Sequence, residues 1–349
     1  MIVKTGKFDR NACRSLSRLT GALLCLVFAN LVVPQSAWAK GEANDPFKIA
    51  MILWRGETNV EDGFRAYFKD RNIAVDLQIH DIGRDLDKVP AIIEEIRKDP
   101  PDLVYTWGTG VTSRVVGKYN DFDPATNITE LPVVFVMVSA PWKTGIAAPQ
   151  GQSRPNVTGA AHIAPLAAQI QAIRAYRPMT KLGVVYNVEE ANSQANVSDL
   201  KALGAEMGFD VLEAPLGQNG KANPEDIAPA VEMLAQEGAN ILYIGPDNFI
   251  GTYRDELTEA GFANGLAAFS ATELEVRDGQ AMLGLVSRYD LVGRLAASKA
   301  EDILVNGISP SDIPVETLDR FSYLIRLSSA QRLSLFPPLL LLDYAEIIQ

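Results

Sequence analysis

The chain has 349 residues, of which 47% are hydrophobic and 21% charged, a size and composition that exclude a single small module and a disordered segment and predict two domains with a substantial core. A formal net charge of -11 excludes recognition of nucleic acid or anionic lipid through a general basic field, because such a chain repels polyanions at long range. Ligand recognition must then be local.

Residues 1–39 differ from the rest. They carry Lys4, Lys7, Arg10, Arg14 and Arg18 against Asp9, then an apolar run over 21–33, Pro34, and the small-x-small triplet Ala37, Trp38, Ala39. That order is a secretory signal peptide cleaved after Ala39, and the apolar run is shorter than the ~20 residues needed to span a bilayer. Periplasmic localisation is the expectation. Both cysteines of the chain, Cys13 and Cys25, fall inside this segment, so no disulfide or thiolate metal site is expected afterwards. Leu24 before Cys25 argues against lipid attachment there, since that processing wants a small residue.

Apolar runs rich in Val, Ile and Leu follow, beginning near residues 48, 73, 102 and 132. They lack polar alternation, as parallel strands buried on both faces do, and helical segments over 60–71 and 89–98 lie between them. A second set begins near 181, 209, 240 and 266, a nearly constant offset of about 135 residues within a βαβ rhythm. The reading is an α/β fold of two similar lobes with parallel sheets, joined by several strands. Residues 147–159, rich in Pro, Gly, Gln and Ser, read as a crossover or hinge. Beyond 266 come an apolar run at 281–287, a long helix over 290–306 stopped at Gly307, and strand-like pieces at 313–317 and 323–327, which return once to each sheet. The expected division is 40–160 plus 281–310 for the N-terminal lobe and 161–280 plus 311–349 for the C-terminal lobe. The four leucines at 339–342 read as a docked C-terminal helix.

Ligands of open parallel α/β sheets sit beyond the carboxyl ends of the strands. In the first half those positions hold Trp54, Arg55 and Glu57, then Trp107, Gly108, Thr109 and Gly110, then Ser139. Trp54, Trp107 and Trp142 all fall there, which suggests an aromatic rim. Gly108 to Thr112 opens a helix, where free N–H groups favour a carboxylate or phosphate; a plain glycine turn with a threonine cap serves equally well. The second half contributes Asn187, Glu190, Asn192, Asp247, Asn248 and Glu273, which as a set suit a polar or cationic group such as an ammonium and singly suit helix caps.

Enzymatic chemistry is hard to assemble. His80 and His162 are the only histidines; neither has metal-site spacing, and both read as structural or solvated. Motifs of the GxSxG, GxGxxG and GK[ST] types are absent. A carboxylate pair such as Glu273 with Asp247 is the one catalytic arrangement left. No cofactor and no metal are expected.

The segments PVVFVMVSAPWKTG (132–145), RPNVTG (154–159), KLGVVYNVEEANS (181–193), ILYIGPDNFI (241–250), AAFSATE (267–273) and IPVETLDRFSYLIRL (313–327) resemble, in that order, the substrate-binding proteins of ABC transporters, in the family that includes the tryptophan and tyrosine receptors. The resemblance implies the type I periplasmic-binding-protein fold: two Rossmann-like lobes with parallel sheets, three crossovers, and a ligand cleft between the lobes. It implies ligand-binding roles for Ser139, Asn187, Glu190, Asn192, Asp247, Asn248, Thr272 and Glu273. WRGET after the first strand and VSAPWKTG depart from the pattern. The implied function is an extracytoplasmic solute-binding protein, a monomer that captures a polar or zwitterionic solute, such as an aromatic amino acid, by hinge closure and delivers it to a permease. In the expected mechanism Arg55 or the Thr109 helix start holds a carboxylate, Trp54 and Trp107 an apolar body, and Glu190 or Asp247 an ammonium. A module presenting its solute to a membrane sensor and a secreted hydrolase are the alternatives.

Overall fold

The computed structural model describes residues 40–149 and 154–349; the expected signal peptide lies outside the described residues. The first lobe begins with β1 (Phe47–Leu53), a wholly apolar run except for Lys48. Helix α1 (Asn59–Asp70) starts at a capping box. Val60 donates to the Thr58 hydroxyl, while the Glu61 carboxylate takes the Thr58 N–H and hydroxyl at 2.7 and 2.8 Å, so the helix's first donors are satisfied locally. The chain continues through β2 (Val75–Asp81), α2 (Val89–Lys98), β3 (Leu103–Trp107), α3 (Thr109–Val116), β4 (Val133–Val138) and β5 (Val157–Ala161). These strands form a parallel sheet in the order β2-β1-β3-β4-β5.

The second lobe repeats the plan with α4 (Leu166–Tyr176), β6 (Lys181–Asn187), α5 (Ala191–Met207), β7 (Asp210–Leu216), α6 (Ile227–Gln236), β8 (Ile241–Ile244), α7 (Asn248–Thr252), α8 (Arg254–Ala263), β9 (Ala267–Ser270), α9 (Leu274–Arg277) and β10 (Leu283–Val286). Its sheet order β7-β6-β8-β9-β10 matches that of the first, then gains two further strands at the β10 edge. Helix α10 (Tyr289–Leu304) precedes these; they are β11 (Ser322–Arg326) and β12 (Glu346–Ile348), with α11 (Leu327–Arg332) and α12 (Leu339–Leu342) between them. Among the strand pairings of the described residues in this sheet, only β10–β11 is antiparallel.

The expected lobe boundaries shift at two points. The run at 281–287 contains β10, which pairs with β9 in the second sheet, so the return to the first lobe begins only at α10. That helix packs its Tyr289, Val292, Ala296 and Ala300 into the first lobe's core beside Phe64 and Trp107. Residues 313–317, assigned above to the second lobe, stay on the first: the Thr158 hydroxyl donates to the Ile313 carbonyl at 2.9 Å, and Glu316 makes a single bridge to Ala160. Among the described residues the chain therefore crosses between lobes three times, after β5, after β10 and before β11.

The hinge-like stretch 147–159 also contains structure that composition concealed. Arg154 is buried and donates to the carbonyls of Ile146, Gly117 and Val116, and Asn156 donates to those of Ile128 and Leu131. Gly159 lies so close to Phe135 that a Cβ would sit 2.4 Å from that ring. The RPNVTG motif thus anchors β5 just before the first crossover. At the other end, the four leucines form one turn in which Leu341 is buried but Leu339 and Leu340 are 82% and 79% exposed. The expected docking is carried by one side chain, because a single turn can present only one residue to the core.

Candidate functional site

The carboxyl ends of both parallel sheets face one cleft, a cavity of about 440 Å³ with its mouth included. The first lobe contributes Arg55, Trp107, Thr109, Met137, Ser139 and His162, with Tyr289 from α10; the second contributes Asn192, Asp247, Asn248, Gly251, Thr272 and Glu275. Eight of the expected site residues therefore meet there: Arg55, Trp107, Thr109, Ser139, Asn192, Asp247, Asn248 and Thr272.

Arg55 lies over the Trp107 ring, 5.5 Å from its centroid. Glu57, two residues on, is exposed and pairs with Arg65, and Arg55 makes no ion pair among the described residues. Helix α3 begins at Gly108 without a side-chain cap. Its φ of +84° suits glycine, and the first N–H groups of α3 lie beside the cavity. Thr109 accepts the Ser139 N–H on its hydroxyl at 3.1 Å, tying the ends of β3 and β4 together. On both sides of Ser139 the backbone turns left-handed at non-glycine residues, Met137 (φ 55°) and Ala140 (φ 47°). The β4–β5 register shifts at the same point, and this bulge puts Met137, a residue inside the predicted strand, on the cavity wall.

On the opposite wall Asp247 caps α7. It accepts the Ile250 N–H and the Asn187 N–H, both at 2.8 Å. Glu190, the residue just before α5, caps the same helix, accepting the N–H groups of Asn248 and Phe249 at 2.9 Å and the Asn248 amide at 3.0 Å. Burial, then the neighbouring Asp247 charge, pushes the Glu190 carboxyl up to about 7; burial raises Asp247 as well. Two adjacent buried carboxyls resist ionising together unless a cation joins them. The Asn192 amide donates to the Pro246 carbonyl at 2.5 Å, fixing the turn that carries Asp247.

Six expected residues do not reach the cavity lining. Trp54 packs between the two cores of the first lobe, and Gly110 faces Leu86. Asn187 holds its own turn, its side-chain oxygen accepting the Glu189 N–H at 3.0 Å. Glu57 and Glu190 are committed as described. Glu273 turns away from the cavity, accepting the Tyr289 N–H at 2.6 Å and pairing with Arg277, so it caps α10 at the second crossover. The carboxylate of this segment that does face the cavity is Glu275, 5% exposed, whose side chain accepts the Thr272 hydroxyl; among the described residues it has no ion-pair partner. The three tryptophans do not converge: Trp107 alone lines the cleft, and Trp142 is half-exposed over a neighbouring apolar pocket. His162, read as structural or solvated, lines the cleft. Composition reads 147–159 as a hinge and conceals β5, so no local pattern marks His162 as a strand-end residue. Tyr289 follows the second crossover, which no strand-end rule within one sheet would reach.

This chain belongs to the ABC transporter substrate binding protein family, whose model matches residues 56–347. A tyrosine-binding protein of Clostridioides difficile (strain R20291) is 24% identical over 263 residues, 75% of this chain and 70% of that protein. Among solved structures, a conserved domain protein from Vibrio cholerae has a TM-score of 0.74 at 19% identity, covering 87% of this chain and 100% of that one. An ABC domain from Streptococcus pneumonia in complex with L-Trp has a TM-score of 0.72 at 19% identity, covering 86% and 100%. The fold is the type I periplasmic-binding-protein architecture.

Proposed function

We propose that this chain is the extracytoplasmic solute receptor of an ABC transporter and captures a small zwitterion of the aromatic amino-acid type between its lobes. The observation that carries the reading is the separation of charge across the cleft. Arg55 and the uncapped start of α3 stand on one wall, and Asp247 and Glu275 on the other. Neither Arg55 nor Glu275 has an ion-pair partner among the described residues; Glu275 is buried and Arg55 half-buried, and a charge withdrawn from water without a partner is costly. A carboxylate at Arg55 and an ammonium at Asp247 and Glu275 remove that cost on both walls at once. Trp107 and Tyr289 supply the apolar surface between them. Because the two charged ends are held by different lobes, the solute binds the closed form better than the open one, and only such differential contacts shift a hinge equilibrium. A relative that binds tyrosine and a structural neighbour holding L-Trp support the solute class.

Calorimetry with the common L-amino acids, on the purified chain and on Arg55→Gln and Glu275→Gln, tests this. The expected result is one saturable aromatic amino acid, bound at least about tenfold more weakly by each variant. Unchanged affinity in both variants, or release of a chemically altered solute, would falsify the reading.

A further inference from the structure

The second crossover, Ser287 and Arg288, leads from β10 to α10 past a closed ring of charge. Arg277, the last residue of α9, presents both terminal nitrogens to Glu346 of β12, Nη1 to Oε1 at 2.7 Å and Nη2 to Oε2 at 2.8 Å. Its Nε donates to Glu273 Oε1 at 2.5 Å. Arg288 closes the ring, with Nη1 3.5 Å from Glu346 Oε2 and Nε 3.4 Å from Glu273 Oε1; the same Nε lies 3.5 Å from an Asp290 oxygen. The second Glu273 oxygen, Oε2, takes the Tyr289 N–H at 2.6 Å. Strand β12 fixes where Glu346 stands. It pairs with β11, Leu324 opposite Glu346, and Arg326 of β11 donates to the carbonyls of Val276, Arg277 and Gln349. Tyr289, the first residue of α10, lines the cleft.

An arginine fork with one carboxylate in reach binds it through two parallel bonds and occupies both of its oxygens. Here Glu346 takes both terminal nitrogens of Arg277, so only Nε is left for Glu273, and one Glu273 oxygen stays with Tyr289. We propose that Glu346 is a positioning residue for solute binding: by dividing Arg277 between two carboxylates it keeps Glu273 on the N–H that starts α10, and so holds Tyr289 in the cleft wall. This rests on the reading of the cleft as a solute site and extends it to a residue outside the cavity lining. Without the Glu346 charge, the Arg277 fork and Arg288 both turn to Glu273 and compete with the Tyr289 N–H for Oε2. The Glu273 side chain is 3% exposed, so water does not restore the bond that the N–H loses.

Hydrogen exchange on the solute-free chain and on Glu346→Gln reads the amides at the start of α10. The variant keeps the shape of the side chain and removes its charge. Exchange at Tyr289 is expected to rise at least about tenfold, while the amides of β3, in the core of the same lobe, keep their rates. An unchanged rate at Tyr289 overturns the proposal, because Glu273 then holds the helix without help. An equal rise in β3 overturns it too, because Glu346 then supports the whole fold. Arg277→Lys keeps the charge and has no fork; it should give the same local rise, and it decides if Glu346→Gln does not fold. Calorimetry with L-tyrosine then measures the effect at the cleft. Glu346→Gln should weaken binding at least about threefold when made alone and not at all on top of Tyr289→Leu, a coupling that the double-mutant cycle isolates. Equal losses in both backgrounds overturn the route through Tyr289. If the unaltered chain binds no L-tyrosine, the solute reading falls, and exchange alone decides whether Glu346 holds the start of α10.

Discussion

Asp247 has a structural role and, in the proposed mechanism, a binding role as well. As the cap of α7 it accepts two backbone N–H groups at 2.8 Å, and on the proposed mechanism it also meets the solute's ammonium. Asp247→Ala should therefore lower stability by roughly 1–2 kcal/mol through the lost cap and also weaken binding. Asp247→Asn keeps an acceptor and removes the charge. It should weaken binding more than Trp107→Leu, since an aromatic contact contributes only about 0.5–1.5 kcal/mol beyond area while an uncompensated buried charge costs several. Calorimetry giving the reverse order would show that the ammonium lies elsewhere. The carboxyl pair adds a pH signature. The folded Glu190 carboxyl is raised to about 7 from the usual 4.5, so its contribution to stability is fully present below pH ~4.5 and is lost as pH rises through about 7. The unfolding midpoint of the solute-free protein should carry a downward slope between pH 5 and 8 that Glu190→Gln flattens. An ammonium beside Asp247 favours ionisation of the pair, so binding near pH 6 should release protons, seen as heats that vary with the buffer's ionisation enthalpy.

At the scale of the element, α10 shows how the third chain segment is held on the first lobe. It crosses α1 at two glycines: a Cβ on Gly63 would lie 2.0 Å from the Asp290 carbonyl oxygen, and one on Gly293 would lie 1.9 Å from that of Val60. Backbones in such contact leave no room for a methyl group. Gly63→Ala should destabilise the protein by about 1–3 kcal/mol or more in urea titrations. It should also weaken solute binding, because Tyr289 begins the displaced helix and lines the cleft. Full stability in Gly63→Ala would mean that the helices can separate without loss. The α1 and α10 boundaries were readable from caps and periodicity to within a residue or two. That the two helices touch was not, since a single glycine in a helical pattern is compatible with many neighbours. The same limit explains the leucines at 339–342, where hydrophobicity implied burial and the turn's length permits it only for Leu341.

The whole molecule is two copies of one five-strand plan joined at three crossovers, with charged walls facing across the seam. The Lys143–Asp199 pair also spans it, from the loop after β4 to α5. Its side chains are 51% and 36% exposed, so it contributes at most ~1 kcal/mol, and Lys143→Ala should alter affinity only slightly. In the proposed mechanism the solute, by contrast, touches both lobes. At about one hundred times its dissociation constant it should stabilise the native state by ~2.7 kcal/mol, raising one cooperative melting transition and reducing the radius of gyration in solution scattering. A melt with two transitions, only one of them moved by solute, would show that a single lobe does the binding.

Strand runs, their repeat and the rims at their carboxyl ends were legible in the sequence because each is a local pattern of side chains along a few residues. That Arg55, Trp107 and Asp247 stand at the cleft could be read for the same reason. Which carboxylate of the SATELE segment faces the cleft was decided only by tertiary structure: Glu273 is drawn to the N–H of Tyr289, a residue brought beside it by the second crossover, and Glu275 is left to the cavity. Met137 and His162 reach the wall through a bulge and a strand that follow from packing between β4 and β5. Local periodicity constrains where an element lies. The direction of each functional side chain depends on contacts between residues distant in the chain, which no local pattern encodes.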